Sequence, residues 1–291
     1  MKLISWNIRG CCNPRKWKTL GRKVRQESPD ILFLQETKCS LEHMQTIKDK
    51  IWKGCQVMAI DATGQSGGIA ILWHPRTVEL SNWRANKFAL MADFFFPDTG
   101  VRGSTGNIYG PSNFQAKRSF LDFLQWIQAL AAQGLWVLGG DFNLIANLEE
   151  KKGGRRVLDS FQEAFSECLA RGPLVDVETG DGWFTWNNKR GGENLVASRL
   201  DRFLVSEAIM NSTGDILASV LPANGSDHWP ISLLWDGSGP PRGKPFRFES
   251  FWMEHKNFKD LVGQWWQEFV PPPGTIMFRF QQKLKALKMK I

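Results

Sequence analysis

The sequence predicts an α/β fold in which packed mixed β-sheets are covered by helices. Two observations predict it. Strand-like runs outnumber amphipathic helical patterns by roughly two to one, and several of these runs follow one another without a helix between them. Parallel neighbours in a sheet need a crossover connection, usually a helix, so this order argues against a purely parallel, doubly wound sheet. Mixed sheets with a few crossover helices fit the pattern.

The first three predicted elements are a strand, a helix and a strand. Residues 2–8 and 31–35 are short apolar runs bounded by turn residues, and residues 15–26 between them have helical spacing of polar and apolar side chains. Further amphipathic patterns predict helices at 41–52, 114–131 and 159–170. Further strands are predicted at 56–60, 68–73, 87–96, 106–110, 135–139, 183–187, 198–205, 215–220 and 229–235.

The segment after the last predicted strand indicates a domain boundary, because residues 236–245 are rich in proline and glycine. We therefore expect one domain at 1–235, followed by a linker and a partly helical, basic tail at 236–291. Within this tail a helix is predicted at 256–269, before the helix-breaking PPPG at 271–274. The last residues fit an amphipathic helix and a frayed chain end equally well.

The composition is that of a folded, soluble protein. The chain has 291 residues, of which 42% are hydrophobic and 23% are charged, and these values argue against a disordered or fibrous chain. No apolar run is long enough to span a membrane, and the first residues do not resemble a signal peptide. The cysteines are odd in number and contain no Cys-x-x-Cys pair, which predicts neither a disulfide framework nor a zinc site. We expect a reducing compartment, the nucleus or the cytoplasm.

The net charge of +8 is compatible with nucleic-acid binding and with an ordinary solvated surface. Most of the excess lies in the tail, where ten Lys and Arg residues stand against five Asp and Glu residues between Asp236 and Ile291. The charge alone therefore does not identify a partner.

Polar residues follow or precede several predicted strands, where side chains of neighbouring strands can meet at one edge of a sheet. Each residue alone has an ordinary structural explanation as a turn former, a helix cap, a surface acid or a buried tyrosine. As a set they provide what metal-assisted hydrolysis of a phosphodiester requires. The set consists of Asn7, Glu36, Tyr109, Asp141, Asn143, Asp201, Asp227 and His228.

The candidate metal ligands are oxygen donors. Glu36 with Asn7, or Asp227 from a later strand, could hold Mg²⁺, which is typically bound by one or two carboxylates plus substrate phosphate. Mn²⁺ is the alternative ion. The His and Cys ligands of zinc are not needed for this chemistry.

The remaining residues supply charge and protons. A carboxylate such as Asp201 could fix the tautomer of His228 or keep it charged toward a phosphate oxygen. Asp141 is a candidate to deprotonate water or to protonate the leaving oxygen, and Asn143 and Tyr109 could donate hydrogen bonds to the phosphate. No covalent nucleophile is required.

A series of motifs resembles the exonuclease-endonuclease-phosphatase superfamily, which includes abasic-site endonucleases and deoxyribonuclease I-like enzymes. The motifs occur in the family's order between residues 4 and 231, as SWNIRG, LQETK, SGGIAILW, NIYGP, GDFN, RLDRFLVS and SDHWPI. Within that superfamily the chain most closely resembles the endonuclease domain of plant LINE-type non-LTR retrotransposons. This closer resemblance depends on FTWNNKR at 184–190, the Gly-Gly-Arg loop at 153–155 and PFRFESFW after the domain.

The resemblance implies a deoxyribonuclease I-like, four-layered α/β sandwich of two mixed sheets flanked by helices, with the site at one edge of the sheets. It implies Asn7 and Glu36 at the metal, Tyr109 and Asn143 on the scissile phosphate, and Asp141 for the water or the leaving group. It also implies that Asp201 pairs with His228 and that Asp227 aids the metal. Abasic-site endonucleases commonly carry an acid two residues after the asparagine, where this chain has Arg9, and this difference favours a single-metal site and the retrotransposon branch.

Basic loop residues are candidates for contact with DNA phosphates. They are Arg155, Arg156, Lys189 and Arg190, with Lys151 and Lys152 beside them, and a mobile solvated loop would have the same composition. Trp186 has two interpretations, contact with DNA and, preferably, packing beneath the active-site loop.

We therefore expect a magnesium-dependent endonuclease that nicks one strand of double-stranded DNA and leaves a 3′ hydroxyl. The resemblance implies that this is the target-nicking domain of a retrotransposon polyprotein, linked to a reverse transcriptase, or a remnant of one. A monomer that acts in the nucleus, without a membrane partner, is expected. The alternatives are an abasic-site repair endonuclease and an inactive relic that only binds nucleic acid. The phosphoinositide and sphingomyelin branches of the superfamily also remain open by motif alone.

Overall fold

The computed structural model describes residues 1–63, 66–180, 182–211, 214–222, 225–236, 257–271 and 276–288. The chain divides into two compact units, Met1–Arg242 and Gly243–Ile291. Across the described residues, no helix combines the length and apolar character that crossing a membrane would need.

The described part of the first unit forms two large sheets and a small one. The first sheet consists of β1 (Lys2–Asn7), β2 (Ile31–Gln35), β3 (Gln56–Thr63), β4 (Ser66–Trp73), β14 (Ile216–Val220) and β15 (Ile231–Trp235), in the order β14-β15-β1-β2-β4-β3. The second sheet consists of β5 (Glu79–Asn86), β6 (Ala89–Phe96), β7 (Val101–Tyr109), β8 (Trp136–Asp141), β10 (Leu174–Val177) and β13 (Asp201–Ser206), in the order β10-β13-β8-β7-β6-β5. The third sheet consists of β9 (Lys151–Lys152), β11 (Trp186–Asn187) and β12 (Ala197–Ser198), in the order β11-β12-β9.

Side-chain caps fix where the longer helices of this unit begin. Asn13 accepts a hydrogen bond from the Arg15 backbone N–H, and Pro14 occupies a first-turn position that needs no N–H donor. Asp159 and Gln162 form a reciprocal capping box. The helices are α1 (Pro14–Glu27), α2 (Leu41–Ile51), α3 (Phe114–Ala131), α4 (Ser160–Arg171) and the single turn α5 (Glu207–Met210).

Three apolar layers hold the sheets and helices together. The central layer lies between the two large sheets, where Phe33 of β2 and Phe203 of β13 are both buried. A second layer joins the outer face of the first sheet to α1 and α2 and includes Leu20. The third joins the outer face of the second sheet to α3 and α4 and includes Phe120. This order of helix, sheet, sheet and helix confirms the predicted four-layered sandwich of two mixed sheets.

The main elements of the first unit match the predicted ones, and the missed strands have physical explanations. β5 was not predicted because ELSNWRAN is an edge strand whose side chains are mostly exposed, so its sequence shows no apolar alternation. A register shift between Ser81 and Arg84 interrupts it further. β9 and β10 are two and four residues long, too short for a recognisable pattern. The predicted strand at 183–187 contracts to Trp186–Asn187.

The described residues of the second unit, 257–271 and 276–288, form two helices, α6 (Phe258–Glu268) and α7 (Ile276–Lys288). The rings of Trp266 and Phe280 are 5.8 Å apart, and Lys283 Nζ donates a hydrogen bond to the Trp266 carbonyl at 2.7 Å. The terminal segment is therefore helical as far as Lys288. Most of the predicted linker and the motif PFRFESFW lie outside the described residues.

Candidate active site

Strand ends from both large sheets converge on one edge of the sandwich. β1, β7 and β8 end at Asn7, Tyr109 and Asp141, and β13, which is antiparallel to β8, begins at Asp201. In the second sheet Tyr109 is the register partner of Asp141, and Asp141 is also the partner of Asp201. Glu36 follows directly after β2, the parallel neighbour of β1. These pairings bring together polar residues that are far apart in sequence.

The backbone turns sharply where three of the site loops leave their strands. Arg9, Glu36 and Asn143 have left-handed φ angles of 49°, 49° and 52°, which are uncommon for residues other than glycine. A Cβ atom on Gly68 would lie 2.3 Å from Thr37 Oγ1, and Gly68 itself has a φ of +84°. Glycine at this position of the SGGIAILW motif therefore permits the loop that carries Glu36 to approach β4.

Asn7 holds two carboxylates in place. Its Nδ2 donates to Asp141 Oδ2 at 2.8 Å and to Glu36 Oε1 at 3.2 Å. The Tyr109 hydroxyl donates to the same Glu36 oxygen at 3.1 Å. Burial, followed by the nearby Glu36 and Asp141 carboxylates, raises the pKa of Tyr109, so its hydroxyl remains a donor at physiological pH.

A buried histidine lies between two aspartates. His228 Nδ1 is 2.9 Å from Asp201 Oδ2, and its Nε2 is 3.8 Å from Asp141 Oδ2. Burial alone would lower the pKa of His228, but the Asp201 and Asp141 carboxylates raise it to about 9. At neutral pH the imidazole therefore carries a positive charge at the centre of the site.

Asp141 is fully buried and accepts hydrogen bonds from Asn7 and from Asn143, two residues later in the chain. The Asn143 backbone N–H donates to its Oδ1 at 2.9 Å, and Asn143 Nδ2 lies 3.3 Å from its Oδ2. Burial, together with the Asp201 carboxylate and against the opposing effects of His228 and Asn7, raises the pKa of Asp141 to about 7. A carboxyl group with this pKa can both accept and release a proton near neutral pH.

Asp227 lies on the outer side of His228 and is paired with Arg9. Its Oδ2 accepts hydrogen bonds from Arg9 Nη1 at 2.5 Å and from Trp186 Nε1 at 3.1 Å. Burial would raise the pKa of Asp227, but His228, Trp186 and Arg9 together lower it. The Trp186 indole thus contacts the active-site loop that carries Asp227, as in the second interpretation of this residue.

The contacts of Arg9 in the site were not predicted from the sequence. Arg9 was noted only as the absence of an acidic metal ligand, whereas its Nε lies 3.6 Å from Glu36 Oε2 while its Nη1 contacts Asp227. The guanidinium therefore connects the two predicted metal-binding carboxylates. A basic residue two positions after the strand-terminal asparagine was the available signal.

The donor set fits a hard divalent cation next to Glu36. The Glu36 carboxylate is half-buried. Its Oε1 accepts hydrogen bonds from Asn7 and Tyr109, whereas Oε2 has only Arg9 nearby among the described residues. Carboxylate oxygens are the ligands that Mg²⁺ and Mn²⁺ prefer. Asn7 Oδ1 accepts the Arg9 backbone N–H at 3.2 Å, so the side chain currently supports the carboxylates, and its role as a ligand stays a prediction.

A buried ionic network fixes the start of β13. Arg199 and Arg202, the two arginines of the RLDR motif, both contact Glu150 and Asp176, with N···O distances between 2.6 and 2.9 Å. Arg202 and Glu150 are almost completely buried. Because the two arginines flank Asp201 in sequence, the network holds the strand end from which Asp201 reaches His228.

The third sheet connects the two predicted DNA-binding loops. β9 and β11 both pair with β12, so the loop at 151–156 and the loop after Trp186 share one small sheet. Trp186 in turn forms an isolated bridge with His228. The predicted phosphate contacts are all exposed; they are Arg155, Arg156, Lys189 and Arg190.

A basic cavity of about 250 Å³ lies beside Asp227. Arg9, Lys16 and Lys189 contribute to its lining. Lys16, which was not predicted as a site residue, lies in the first turn of α1 and donates to the Ile8 carbonyl at 2.7 Å. Nothing in its sequence context distinguishes it from other surface lysines.

Comparisons with known proteins identify the family of the chain. Residues 4–228 match the Endonuclease/Exonuclease/phosphatase family. The chain is 26% identical over 264 residues to a DNA-(apurinic or apyrimidinic site) endonuclease of Dictyostelium discoideum, and the match covers 81% of this chain and 71% of that protein. It is 23% identical over 277 residues to the transposon TX1 uncharacterized 149 kDa protein of Xenopus laevis, and this match covers 92% of this chain but 20% of that protein.

The fold also resembles solved structures. The crystal structure of the AP endonuclease LMAP from Leishmania major superimposes with a TM-score of 0.66 at 19% sequence identity, covering 82% of this chain and 88% of that one. At this identity the likeness establishes the arrangement of sheets and helices.

Proposed function

The chain belongs to the Endonuclease/Exonuclease/phosphatase family, and we propose that it is a metal-dependent DNA endonuclease that nicks one strand and leaves a 3′ hydroxyl. One observation carries the proposal. Hydrogen bonds and ion pairs link Asn7, Glu36, Asp141, Asp201 and His228 continuously at one edge of the two sheets. The arrangement combines a metal-binding carboxylate, a charged imidazole and a carboxyl group with a pKa of about 7.

Glu36 would hold the divalent ion, with Asn7 and Asp227 as further candidate ligands. When bound, such an ion supplies a positive charge that stabilises the developing negative charge on the phosphate. The protonated His228 adds a second positive charge, which Asp201 maintains through the 2.9 Å contact with Nδ1. The Tyr109 hydroxyl and the Asn143 amide now donate to Glu36 and Asp141, and each would exchange that acceptor for a non-bridging phosphate oxygen when the substrate binds.

Asp141 is suited to handle the proton of the attacking water. The water oxygen forms a bond to phosphorus, the bond between phosphorus and O3′ breaks, and O3′ becomes the new hydroxyl by taking up a proton from the solvent. Asp141 would accept the proton that the water loses, since its pKa of about 7 leaves a substantial fraction ionised at physiological pH. Asn7 and the Asn143 backbone N–H hold the carboxylate in the orientation this requires.

A DNA duplex is the substrate best supported by the surface. Exposed basic residues of two loops meet on the third sheet, next to the cavity lined by Arg9, Lys16 and Lys189. Contacts to the phosphate backbone from such residues supply affinity that does not depend on sequence. The proposed chromosomal substrate would place the protein in the nucleus.

The similarity to the TX1 transposon protein supports the retrotransposon branch. It covers 92% of this chain, which is more than the 242 of 291 residues in the first unit, so the similarity continues into the second unit. We therefore propose that the chain is the target-nicking domain of a polyprotein with a reverse transcriptase, or a remnant of one. Abasic-site repair is the second candidate, supported by the 26% identity to the Dictyostelium endonuclease.

The test uses the purified chain and supercoiled plasmid, with Mg²⁺ or with a chelator. Conversion of the plasmid to nicked circle is expected with Mg²⁺ and not with the chelator. Glu36→Gln and Asp141→Asn should each reduce the rate by about a hundredfold or more. The first removes the carboxylate that would hold the metal, and the second removes the group that would accept the proton of the attacking water. Glu163→Gln, an exposed substitution on α4, is the matched control and should retain full activity. Metal-independent nicking, or full activity of Glu36→Gln, would overturn the assignment.

DNA duplexes of defined sequence distinguish target nicking from abasic-site repair. An intact 5′-labelled duplex and the same duplex with one abasic site are compared under identical conditions, and the product is extended with a DNA polymerase to detect a 3′ hydroxyl. Comparable cleavage of both duplexes supports a target-nicking enzyme. A strong preference for the abasic duplex supports repair, and binding without cleavage supports the inactive relic.

A further inference from the structure

A cluster of sulfur and imidazole side chains lies outside the active site, between the loop after β1 and the loop after β2. Cys12 Sγ is 2.7 Å from Cys39 Sγ, and Cys11 Sγ is 3.4 Å from the same atom. The Cys12 and Cys39 sulfurs and one ring nitrogen of His43 all lie within 4.8 Å of one another. The cysteines are free thiols.

The imidazole of His43 points to a ligand. Its Nε2 is buried and has no hydrogen-bond partner among the described residues. A buried polar atom without a partner is uncommon in folded proteins and calls for an explanation, of which a bound ion is one. His43 lies in the first turn of α2. The His43 backbone N–H donates to the Ser40 side chain at 3.2 Å, and this cap fixes where the helix begins.

We propose that Cys12, Cys39 and His43 bind a zinc-type divalent ion at a site separate from the active-site metal. Two soft thiolates and one imidazole are ligands that zinc prefers, whereas magnesium prefers oxygen donors. Cys39 and His43 are four residues apart, which brings a loop residue and a first-turn residue of the following helix to the same ion. Two thiolates would also neutralise the charge of the ion.

The geometry requires one small adjustment. Zinc–sulfur bonds of about 2.3 Å place two bound sulfurs about 3.7 Å apart in a tetrahedral site. The Cys12 and Cys39 sulfurs, now 2.7 Å apart, must separate by about 1 Å, and the exposed Cys12 can move because it lies in a surface loop. The exposure of Cys12 leaves the fourth coordination position open to water.

The ion would clamp the two loops that carry active-site residues. Cys12 follows Asn7 by five residues, and Cys39 follows Glu36 by three. The same loops already contact each other through the Gly10 N–H to Glu36 carbonyl bond at 2.6 Å. A metal at this position would act as a structural cross-link that preserves the approach of Glu36 to Asn7.

The test measures metal content and does not depend on nuclease activity. The full chain is produced with zinc in the medium, dialysed against metal-free buffer with a phosphine reductant, and analysed by inductively coupled plasma mass spectrometry. About one zinc per chain is expected for a three-ligand protein site. Cys12→Ser and His43→Gln should lose the zinc, whereas Cys168→Ser and His74→Gln, matched changes outside the cluster, should retain it. Glu36→Gln should also retain zinc, which separates this site from the proposed active-site metal.

Cobalt provides a second measurement on the unmodified chain. Co²⁺ added to the metal-free protein should produce a thiolate-to-cobalt charge-transfer absorption and the visible bands of tetrahedral cobalt. The absence of both zinc and these bands in the folded protein would overturn the proposal. Isolation of a Cys12–Cys39 disulfide by peptide mass spectrometry, with no zinc bound under reducing conditions, would also overturn it.

Discussion

Arg9 Nη1 donates a hydrogen bond to Asp227 Oδ2 at 2.5 Å, which places a permanent positive charge at the mouth of the proposed active site. The Nε of the same guanidinium is 3.6 Å from Glu36 Oε2. Arg9 therefore lies against the carboxylates that would otherwise attract a second divalent ion. It connects the loop after β1 with the loop before β15, across 218 residues of sequence.

Removal of this charge should strengthen metal binding. For Arg9→Ala we expect the Mg²⁺ concentration at half-maximal nicking to fall by several-fold, because the repulsion between the guanidinium and the ion disappears. The effect is modest, since two charges about 4 Å apart interact by about 1 kcal/mol in water and the Arg9 side chain is 46% exposed. Arg9→Lys keeps the charge and serves as the control. An unchanged Mg²⁺ dependence in Arg9→Ala would show that the guanidinium does not compete with the metal.

The contact between Asp201 and His228 predicts an imidazole that titrates well above its usual range. The pKa of His228 should be about 9 in the metal-free protein, measured by NMR of the ring protons. Asp201→Asn should lower this pKa, because the carboxylate that stabilises the imidazolium is removed. A normal pKa of about 6.5 in the unmodified protein would contradict the geometry.

The raised pKa of His228 also makes the stability of the fold depend on pH. Because the folded-state pKa of His228 is raised above the unfolded value, its protonation stabilises the fold fully below about pH 6.5. This contribution disappears as the pH rises toward about 9. Urea unfolding at about pH 6 and about pH 9.5, on either side of this window, should show the decrease in stability. His228→Gln should reduce the difference between the two conditions.

The basic loop residues should determine the salt dependence of DNA binding. Lys189→Ala is expected to weaken binding to all duplexes alike. If Lys189 neutralises one phosphate, the slope of log affinity against log salt should become shallower by about 0.9. The measurement is fluorescence anisotropy over a range of salt concentrations. Lys53→Ala, an exposed substitution just after α2, is the matched control. Equal slopes for both variants would exclude a phosphate contact by Lys189.

The buried ionic network should be a major source of stability. Arg202→Leu removes one of the two arginines that pair with Glu150 and Asp176. It should lower the free energy of unfolding by about 3–5 kcal/mol, because Arg199 alone cannot neutralise both carboxylates and a buried negative charge is left uncompensated. Arg202 is 0% exposed, whereas the side chain of Arg171 is 80% exposed, so Arg171→Leu is a suitable control. Chemical denaturation of both variants provides the comparison. A decrease below about 1 kcal/mol for Arg202→Leu would mean that the network is not coupled to folding.

Much of the fold could be predicted from the sequence because the central strands are apolar over most of their length. β2, β8 and β13 are buried on both faces, and such runs are visible in a sequence. β5 was missed because it pairs through its backbone while its side chains remain in solvent. The cysteine pattern likewise gave no sign that Cys12 and Cys39, 27 residues apart, would lie in contact.

The residues of the candidate site divide in the same way. The sequence identified Asn7, Tyr109 and Asp141 because each is a polar residue at the end of an apolar strand. The direction of the strands then places these ends at one edge of the sheets. The orientation of Arg9 toward Asp227 and the pairing of Arg202 with Glu150 were decided by the tertiary structure. Such contacts join side chains from separate loops, and their formation depends on loop geometry and burial, which leave no periodic pattern in the chain.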